Sequence, residues 1–250
     1  MQPFIPAGEL FAPSERVVVP ANGTASVTIR SFDGYSFGVN RLLFDAPNLS
    51  AVTVKGVVGG ERLIVEGVHL DAFRPLFQHR ALRNPIVIPT GQVLDLTFSN
   101  ASNVPVPVGV LVDGFTSVQL DALRAYRESE GVPLREGGFL WGSVDVAANQ
   151  ERKRLDVPMR TGGATLARLF LGANHTDAEA TDATGDLIAG VSAQGRDLIR
   201  TATPAQLEAL MGSRELVPPV RLGAMDTLTL FLTNLSGTPA RVSLLAEALR

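Results

Sequence analysis

Two stretches of this chain are near-copies of each other. NPIVIPTGQVLDLTFSNASNVPVPVGVLV runs from Asn84 to Val112, and PPVRLGAMDTLTLFLTNLSGTPARVSLLA runs from Pro218 to Ala246. At an offset of 134 (234 − 100) they align without a gap. Leu94 meets Leu228, Leu96 meets Leu230, Asn100 meets Asn234, Ser102 meets Ser236, Pro105 meets Pro239 and Val108 meets Val242. The same offset pairs Leu76 with Leu210, Arg80 with Arg214, Arg62 with Arg196, and Gly56-Val57 with Gly190-Val191. Further upstream it falls to 127, where Val17, Val19 and Asn22 meet Val144, Val146 and Asn149, and Arg41-Leu42 meets Arg168-Leu169. The difference (134 − 127) implies seven extra residues in the second half. They fall in NHTDAEATDATGD, a polar run expected of a surface loop. Self-similarity that keeps its register this long restricts the chain to two like units in tandem.

Each unit reads as β-structure. Period-2 alternation and β-branched enrichment mark RVVVPA, ASVTIRSF, SFGVNRLLFD, SAVTVKGV and RLIVEG, then PIVIP, QVLDLTFS and VPVPVGVLVDG. Between the fifth and sixth strands, HLDAFRPLFQH places Leu70, Phe73, Leu76 and Phe77 at helical spacing. The second half repeats the order with LWGSVDVAA, KRLDVPMR, TLARLFLG, DLIAGVSA, RDLIRT, a helix TPAQLEALMG with Thr203 as N-cap, then PVRLG, DTLTLFLTN and PARVSLLAEAL. Val118, Leu120, Leu123 and Tyr126 predict a helical connector that ends at Gly131 and Pro133. The expected layout is an N-terminal arm over 1–14, a first unit over 15–115, a connector over 116–137 and a second unit over 138–250. Eight strands with short connections form a two-sheet sandwich or a closed barrel. Pro105 and Pro107 cannot donate ladder hydrogen bonds, which puts VPVPV at an edge or a strand start. Leu230 is expected to face the core and Thr229 the opposite side.

Eight strands per unit, two units in tandem, and a helix after the fifth strand of each (strand F, before strand G) resemble the double jelly-roll major capsid proteins of tailless double-stranded-DNA viruses, including internal-membrane bacteriophages. The resemblance is carried by HLDAFRPLF between RLIVEG and PIVIP, and by TPAQLEALM between RDLIRT and PVRLG. It covers Arg16 to Arg250 and is architectural, with no diagnostic motif. It implies an all-β fold of two tandem eight-stranded jelly-roll sandwiches joined by a helical connector. It also implies a pseudo-hexagonal homotrimer that tiles a shell. The implied partners are the chain itself, other capsid proteins or an underlying membrane, and the implied location is the virion, assembled in the host cytoplasm. Within this class a minor capsid, decoration or spike protein stays open. Phe4, Ile5 and Phe11 stand outside any strand in the first fourteen residues. They form either a strap across their own sandwich or an arm reaching a neighbour or a membrane.

Chemistry is sparse. A net charge of −3 argues against a dedicated nucleic-acid binder, and the lack of cysteine excludes disulfides and thiolate metal sites. No signal peptide is expected, and no apolar run reaches the roughly 20 residues of a membrane span. His69, His79 and His175 form no metal-ligand spacing, and there is no G-x-S-x-G elbow for a Ser-His-Asp triad. No catalytic residue, enzyme activity or cofactor is expected. Asp177, Glu179, Asp182 and Asp186 are the only candidate metal ligands, and their spacing does not match an EF-hand. GVVGGERL lies between strands, so it is a turn rather than a phosphate cradle. The basic run Gln150 to Arg154 reads as a solvated strand end, with a face for nucleic acid or anionic lipid as the alternative. The single Trp, Trp141, is expected to fill the second core. A tandem carbohydrate-binding sandwich is the alternative of a different class, although an aromatic content of 6% gives few sugar-stacking platforms. A cupin-like enzyme would need clustered His ligands.

Overall fold

The computed structural model describes residues 13–30, 35–58, 61–73, 81–82, 84–131, 134, 137–159, 163–213 and 220–249. Its first eight strands are β1 (Ser14–Val19), β2 (Thr24–Ile29), β3 (Phe37–Asp45), β4 (Val52–Val58), β5 (Glu61–His69), β6 (Ile86–Ile88), β7 (Leu94–Asn100) and β8 (Val106–Phe115). Helix α1 (Ser117–Ser129) follows. The second eight are β9 (Gly137–Val146), β10 (Lys153–Pro158), β11 (Ala164–His175), β12 (Leu187–Ala193), β13 (Arg196–Ala202), β14 (Val220–Leu222), β15 (Thr227–Asn234) and β16 (Ala240–Leu249), with α2 (Pro204–Ser213) between β13 and β14. Inward-facing apolar residues on alternate positions, such as Leu94, Leu96 and Phe98 of β7, fill the space between two sheets. The sheet orders are β1-β8-β3-β6 and β2-β7-β4-β5 in the first sandwich. In the second they are β9-β16-β11-β14 and β10-β15-β12-β13. Numbered from the start of each half, these are the same two strings. Each half is an eight-stranded jelly roll, and the fold is the double one.

The halves agree residue by residue. Val17 pairs with Val108, and Val144 with Val242. Val27 pairs with Leu96, and Leu155 with Leu230. Phe37 pairs with Ile88, and Ala164 with Leu222. Even the irregularities recur. A β-bulge interrupts the β3–β8 ladder between Val39 and Arg41, and the β11–β16 ladder between Leu166 and Arg168. Bulges sit where a strand must bend, so their recurrence marks shared geometry rather than shared composition.

One part of the sequence alignment shifts. Val54 pairs with Phe98 and Ala189 with Leu232, so β4 and β12 are offset by 135 (189 − 54), and the loop after β11 carries eight extra residues rather than seven. Gly56 lies opposite Leu96, and its counterpart is Val191, opposite Leu230; Gly190 lies opposite Phe231. Arg62 pairs with Val57, and its counterpart is Asp197, not Arg196. The recurring Gly-Val dipeptide drew the alignment one residue off, and in a strand that exchanges the two faces.

The repeated Asn and Ser residues form a clamp at one end of each sandwich. Asn100 is buried, and its Nδ2 donates to the carbonyls of Pro20 at 3.1 Å and Val104 at 2.7 Å. Its Oδ1 accepts from the Ser102 backbone N–H at 2.9 Å. Asn234 repeats this with Ala147 O at 3.1 Å, Thr238 O at 2.9 Å and Ser236 N–H at 3.0 Å. Asn22 and Asn149 take positive φ, 48° and 52°, and donate their N–H to Ser102 O and Ser236 O. Asn is among the few residues that tolerate that conformation. The clamp ties the β1–β2 turn to the β7–β8 turn, and the β9–β10 turn to the β15–β16 turn.

Pro107 sits in β8, an interior strand. There it pairs only with Val18 of β1, because the β3 ladder begins at Gly109. No N–H is required on the other side. The counterpart Arg241 is flanked on both sides, by Asp145 and by Asn174 of the longer β11, and a proline would break that ladder. Thr203 caps α2 through a reciprocal bond pair with Gln206, and Thr116 caps α1 in the same way with Gln119. α1 buries Leu120 and Leu123 but leaves Val118 exposed. Gly131, at φ 69°, stands just past its C-terminus. The first inter-strand helix is described only over Leu70–Phe73, a 3₁₀ turn whose four residues are all buried. Leu76, Phe77 and His79 lie outside the described residues. Leu230 is fully buried; Thr229 is on the other face but covered, donating to Asp156 at 2.8 Å.

Asn234→Ala removes three buried hydrogen bonds and should cost roughly 2–4 kcal/mol in urea denaturation, whereas Leu235→Ser beside it, 60% exposed, should stay within about 0.5 kcal/mol. Equal effects at the two positions would contradict the clamp.

Candidate functional site

The two sandwiches differ on their outer faces. In β3 and β8 burial alternates, as it does when one face of a sheet meets solvent. In β11 every residue from Leu166 to His175 is buried, and β16 is buried from Val242 to Leu249. A strand buried on both faces must be covered from outside. The cover comes from the first sandwich: the end of β5 and the following 3₁₀ turn lie on the β9-β16-β11 face. Phe73 meets Phe139 edge-on at 5.9 Å and Phe44 of its own core at 5.1 Å. Phe170 and Leu245 join the first sandwich's apolar cluster, and Trp141 packs against it. Trp141 therefore belongs to the junction, not to the second core. The fit is close enough that a Cβ on Gly172 would overlap the Asp71 carboxylate.

Polar groups lock this junction. His69 is buried; its backbone N–H donates to Ser243 Oγ at 2.8 Å. Its Nε2 lies 2.5 Å from Asn174 Oδ1, and its Nδ1 lies 2.8 Å from Ser243 Oγ. The amide oxygen only accepts, so Nε2 carries the proton and Nδ1 accepts from the Ser243 hydroxyl. Burial holds the imidazole pKa down at about 4, partly offset by the Asn174 bond. The Ser-His-Asn order resembles a nucleophilic relay, but Ser243 is fully buried and the chain staples two domains together.

Arg168 and Glu247 form a buried ion pair, Nε to Oε2 at 2.5 Å, and Arg168 Nη2 also donates to Ala81 O of the first sandwich at 2.7 Å. The counterpart pair, Arg41 with Asp113, has the same register but remains 27% and 22% exposed. The same pair is thus buried in one half and wet in the other, because only one outer face is covered.

The eight-residue insertion also joins the halves. Ala178 O accepts from the Asn103 N–H at 3.0 Å, and Asn48 Nδ2 reaches Glu179 O at 3.3 Å. Ala180, at φ 50°, is fully buried. The loop is solvated, as its polar composition predicts, with residues 176–179, 181 and 182 exposed, and it also clasps the two halves. Its acids do not converge. Asp177 accepts from Thr181, Asp182 from Thr184, and Asp186 lies 3.0 Å from His175 Nε2. Among the described residues no group of three or more His, Asp or Glu stands ready to hold a metal ion. In the basic run, Arg152 lies over the Phe231 ring and Arg154 pairs with Asp156. Phe4, Ile5 and Phe11 lie outside the described residues.

The outer face of the first sandwich's β1-β8-β3 sheet is open among the described residues. Leu120 of α1 covers Gly38 at one end, where a Cβ would come within 2.7 Å of Leu120 Cδ2. Elsewhere Val18 and Leu111 are 60% and 36% exposed, and a concavity of about 570 Å³ is lined by Ser14, Arg16, Leu43, Asp45, Gly109 and Leu111, among others. No sequence signal told covered faces from open ones.

No protein-family model matches the chain, and no curated protein sequence does. Solved structures do. A chain from the atomic structure of Sulfolobus Turreted Icosahedral Virus is 10% identical, with a TM-score of 0.51 over 96% of this chain and 91% of that one. The crystal structure of the STIV MCP is 10% identical (TM-score 0.46, 96% and 97% covered). The major capsid protein P2 of Bacteriophage PM2 is 8% identical (TM-score 0.45, 94% and 98% covered). At these identities the likeness is one of fold.

Removing one partner of the covered ion pair strands a buried charge. Arg168→Ala should cost about 3–5 kcal/mol and Arg41→Ala about 1 kcal/mol or less, measured by urea denaturation. His69 has a folded pKa below its unfolded value of 6.5, so the stability it contributes is present above pH 6.5 and lost as pH falls towards 4. About 3 kcal/mol should disappear over that window in the parent chain and not in His69→Gln, read as the difference between their stability–pH curves.

Proposed function

We propose that this chain is a structural protein of a virion, acting as its major capsid protein. The observation that carries this reading is the tandem of jelly rolls with one strand order and one ladder register. Full-length likeness in fold to a chain of an icosahedral virus supports it. Three such chains give six similar sandwiches, and six similar sandwiches in a ring tile a hexagonal lattice. Duplication then serves shape: one gene product approximates sixfold symmetry with threefold copies. The partners are further copies of the chain, together with other coat proteins or an underlying membrane reached by the N-terminal arm through Phe4, Ile5 and Phe11. Assembly takes place in the host cytoplasm, and no cofactor takes part. Among the described residues no helix is long and apolar enough to cross a membrane.

Light scattering coupled to size exclusion should give a trimer or a larger assembly, and electron microscopy of the concentrated protein should show six-lobed particles. A strict monomer at high micromolar concentration would contradict the proposal. A monomer that is captured on a glycan array would favour the carbohydrate-binding alternative instead.

A further inference from the structure

We infer that the outer face of the β10-β15-β12-β13 sheet carries a nucleotide site, in which Arg152, held over Phe231, stacks a base and Arg200 takes its phosphate.

The two halves carry different side chains at the same ladder positions. Across the second sandwich Arg154 lies opposite Phe231, and Phe231 opposite Gly190. The same row in the first sandwich is Ser26, Thr97 and Lys55. Two positions along, Thr233 pairs with Ile188 where Ser99 pairs with Thr53. The first half has what a wet sheet face ordinarily carries, hydroxyls and a cation, with Ser26 Oγ and Thr97 Oγ1 3.0 Å apart. The second half has exchanged them for a ring, an aliphatic side chain and guanidinium groups. Phe231, Ile188 and Ile199 are half-buried there, and with Arg152 and Arg200 they line a hollow of about 290 Å³. That is near the lower end for small-ligand sites, about 300 Å³. The hollow exists because Gly190 has no side chain. A Cβ would come within 2.6 Å of the Arg200 carbonyl, beside a bulge in the β12–β13 ladder between Ala189 and Val191.

Both arginines are available. Arg200 stands on the edge strand with its side chain 89% exposed, and Asp197 lies 3.9 Å away, at the limit of an ion pair. Arg154 is engaged by Asp156 at 2.8 Å, whereas no ion pair engages Arg152 among the described residues. Arg152 is also held in an uncommon backbone state. Its φ is 50°, and its N–H donates to Thr233 Oγ1 at 3.2 Å. Asn22 and Asn149 tolerate that region through their short polar side chains; an arginine has no such local reason to adopt it. Non-glycine residues in this region cluster at ligand sites. Here the conformation accompanies a guanidinium laid over the Phe231 ring, Cζ 5.2 Å from its centroid.

The face therefore presents a flat cation backed by a ring, an apolar floor and a second guanidinium at the rim. A planar guanidinium stacks on a nucleobase as it does on an aromatic side chain, and its fork of donors binds phosphate. An inorganic anion leaves the floor unused, and an acyl chain leaves the stacking plane unused. A base joined to a phosphate uses all three. Its source is a free mononucleotide or single-stranded nucleic acid, and stacking on a π-face tolerates any base in either. The basic run from Gln150 to Arg154 thereby gains a role beyond ending a strand.

Equilibrium dialysis of the full chain against AMP, adenosine and inorganic phosphate tests this. AMP should bind about tenfold more tightly than either fragment, since each lacks one set of contacts. Arg152→Ala, Arg200→Ala and Phe231→Thr, which installs the first half's residue, should each weaken AMP by about tenfold. Lys55→Ala, at the matching position of the first sandwich, should change nothing. Urea denaturation reports whether each variant is folded; the exposed Arg200→Ala carries the test if Phe231→Thr is not. A fluorescein-labelled adenine DNA octamer identifies the source: binding much tighter than AMP assigns single-stranded nucleic acid, and equal or weaker binding assigns the free nucleotide. No AMP binding at millimolar concentration overturns the inference. So do phosphate binding as tight as AMP, AMP binding untouched by both arginine variants, and capture on phosphatidylglycerol vesicles without AMP binding, which makes the patch a lipid surface.

Discussion

Burial of a sheet on both sides governs this molecule. A jelly roll needs only its inner faces to be apolar, and a free-standing pair would leave both outer faces alternating and wet. Here the turn after β5 lies across β9, β16 and β11 and removes their outer face from water. Once it does so, neighbouring features follow. Gly172 must lack a side chain where Asp71 enters. Arg168 and Glu247 must satisfy each other, because water no longer reaches them. His69 stays neutral at pH 7, because burial in the junction disfavours its charged form.

The two halves share a common scaffold and diverge at their surfaces. Ladder registers, bulges and the Asn clamps coincide, since these are requirements of the fold itself. What differs is the finish of the outer positions: Leu43 against Phe170, Asp45 against Gly172, Gly109 against Ser243. Each second-half residue is shaped for the contact inside the chain. Each first-half residue remains suited to a surface that is wet in the single molecule. The inserted loop adds a second tie between the halves that has no counterpart on the first sandwich. A duplicated fold has thus acquired a direction, one end locked and the other open.

The sequence alone determined the duplication, the order of the sixteen strands, the capped start of α2 and the inward face of β15. These are written in local chemistry: period-2 alternation, a Thr before a Pro at a helix start, a Pro where one ladder bond is missing. Register was harder, since the recurring Gly-Val pair placed β4 one residue off and only the ladder to β7 corrected it. What the tertiary structure decided was which outer face is covered. Trp141, His69 and the acidic loop took roles at the junction that no local pattern announces, because their partners lie roughly a hundred residues away and are chosen by how one sandwich is turned against the other. Alternation states which side of a strand is outward. Only the packing of whole domains states what, if anything, lies there.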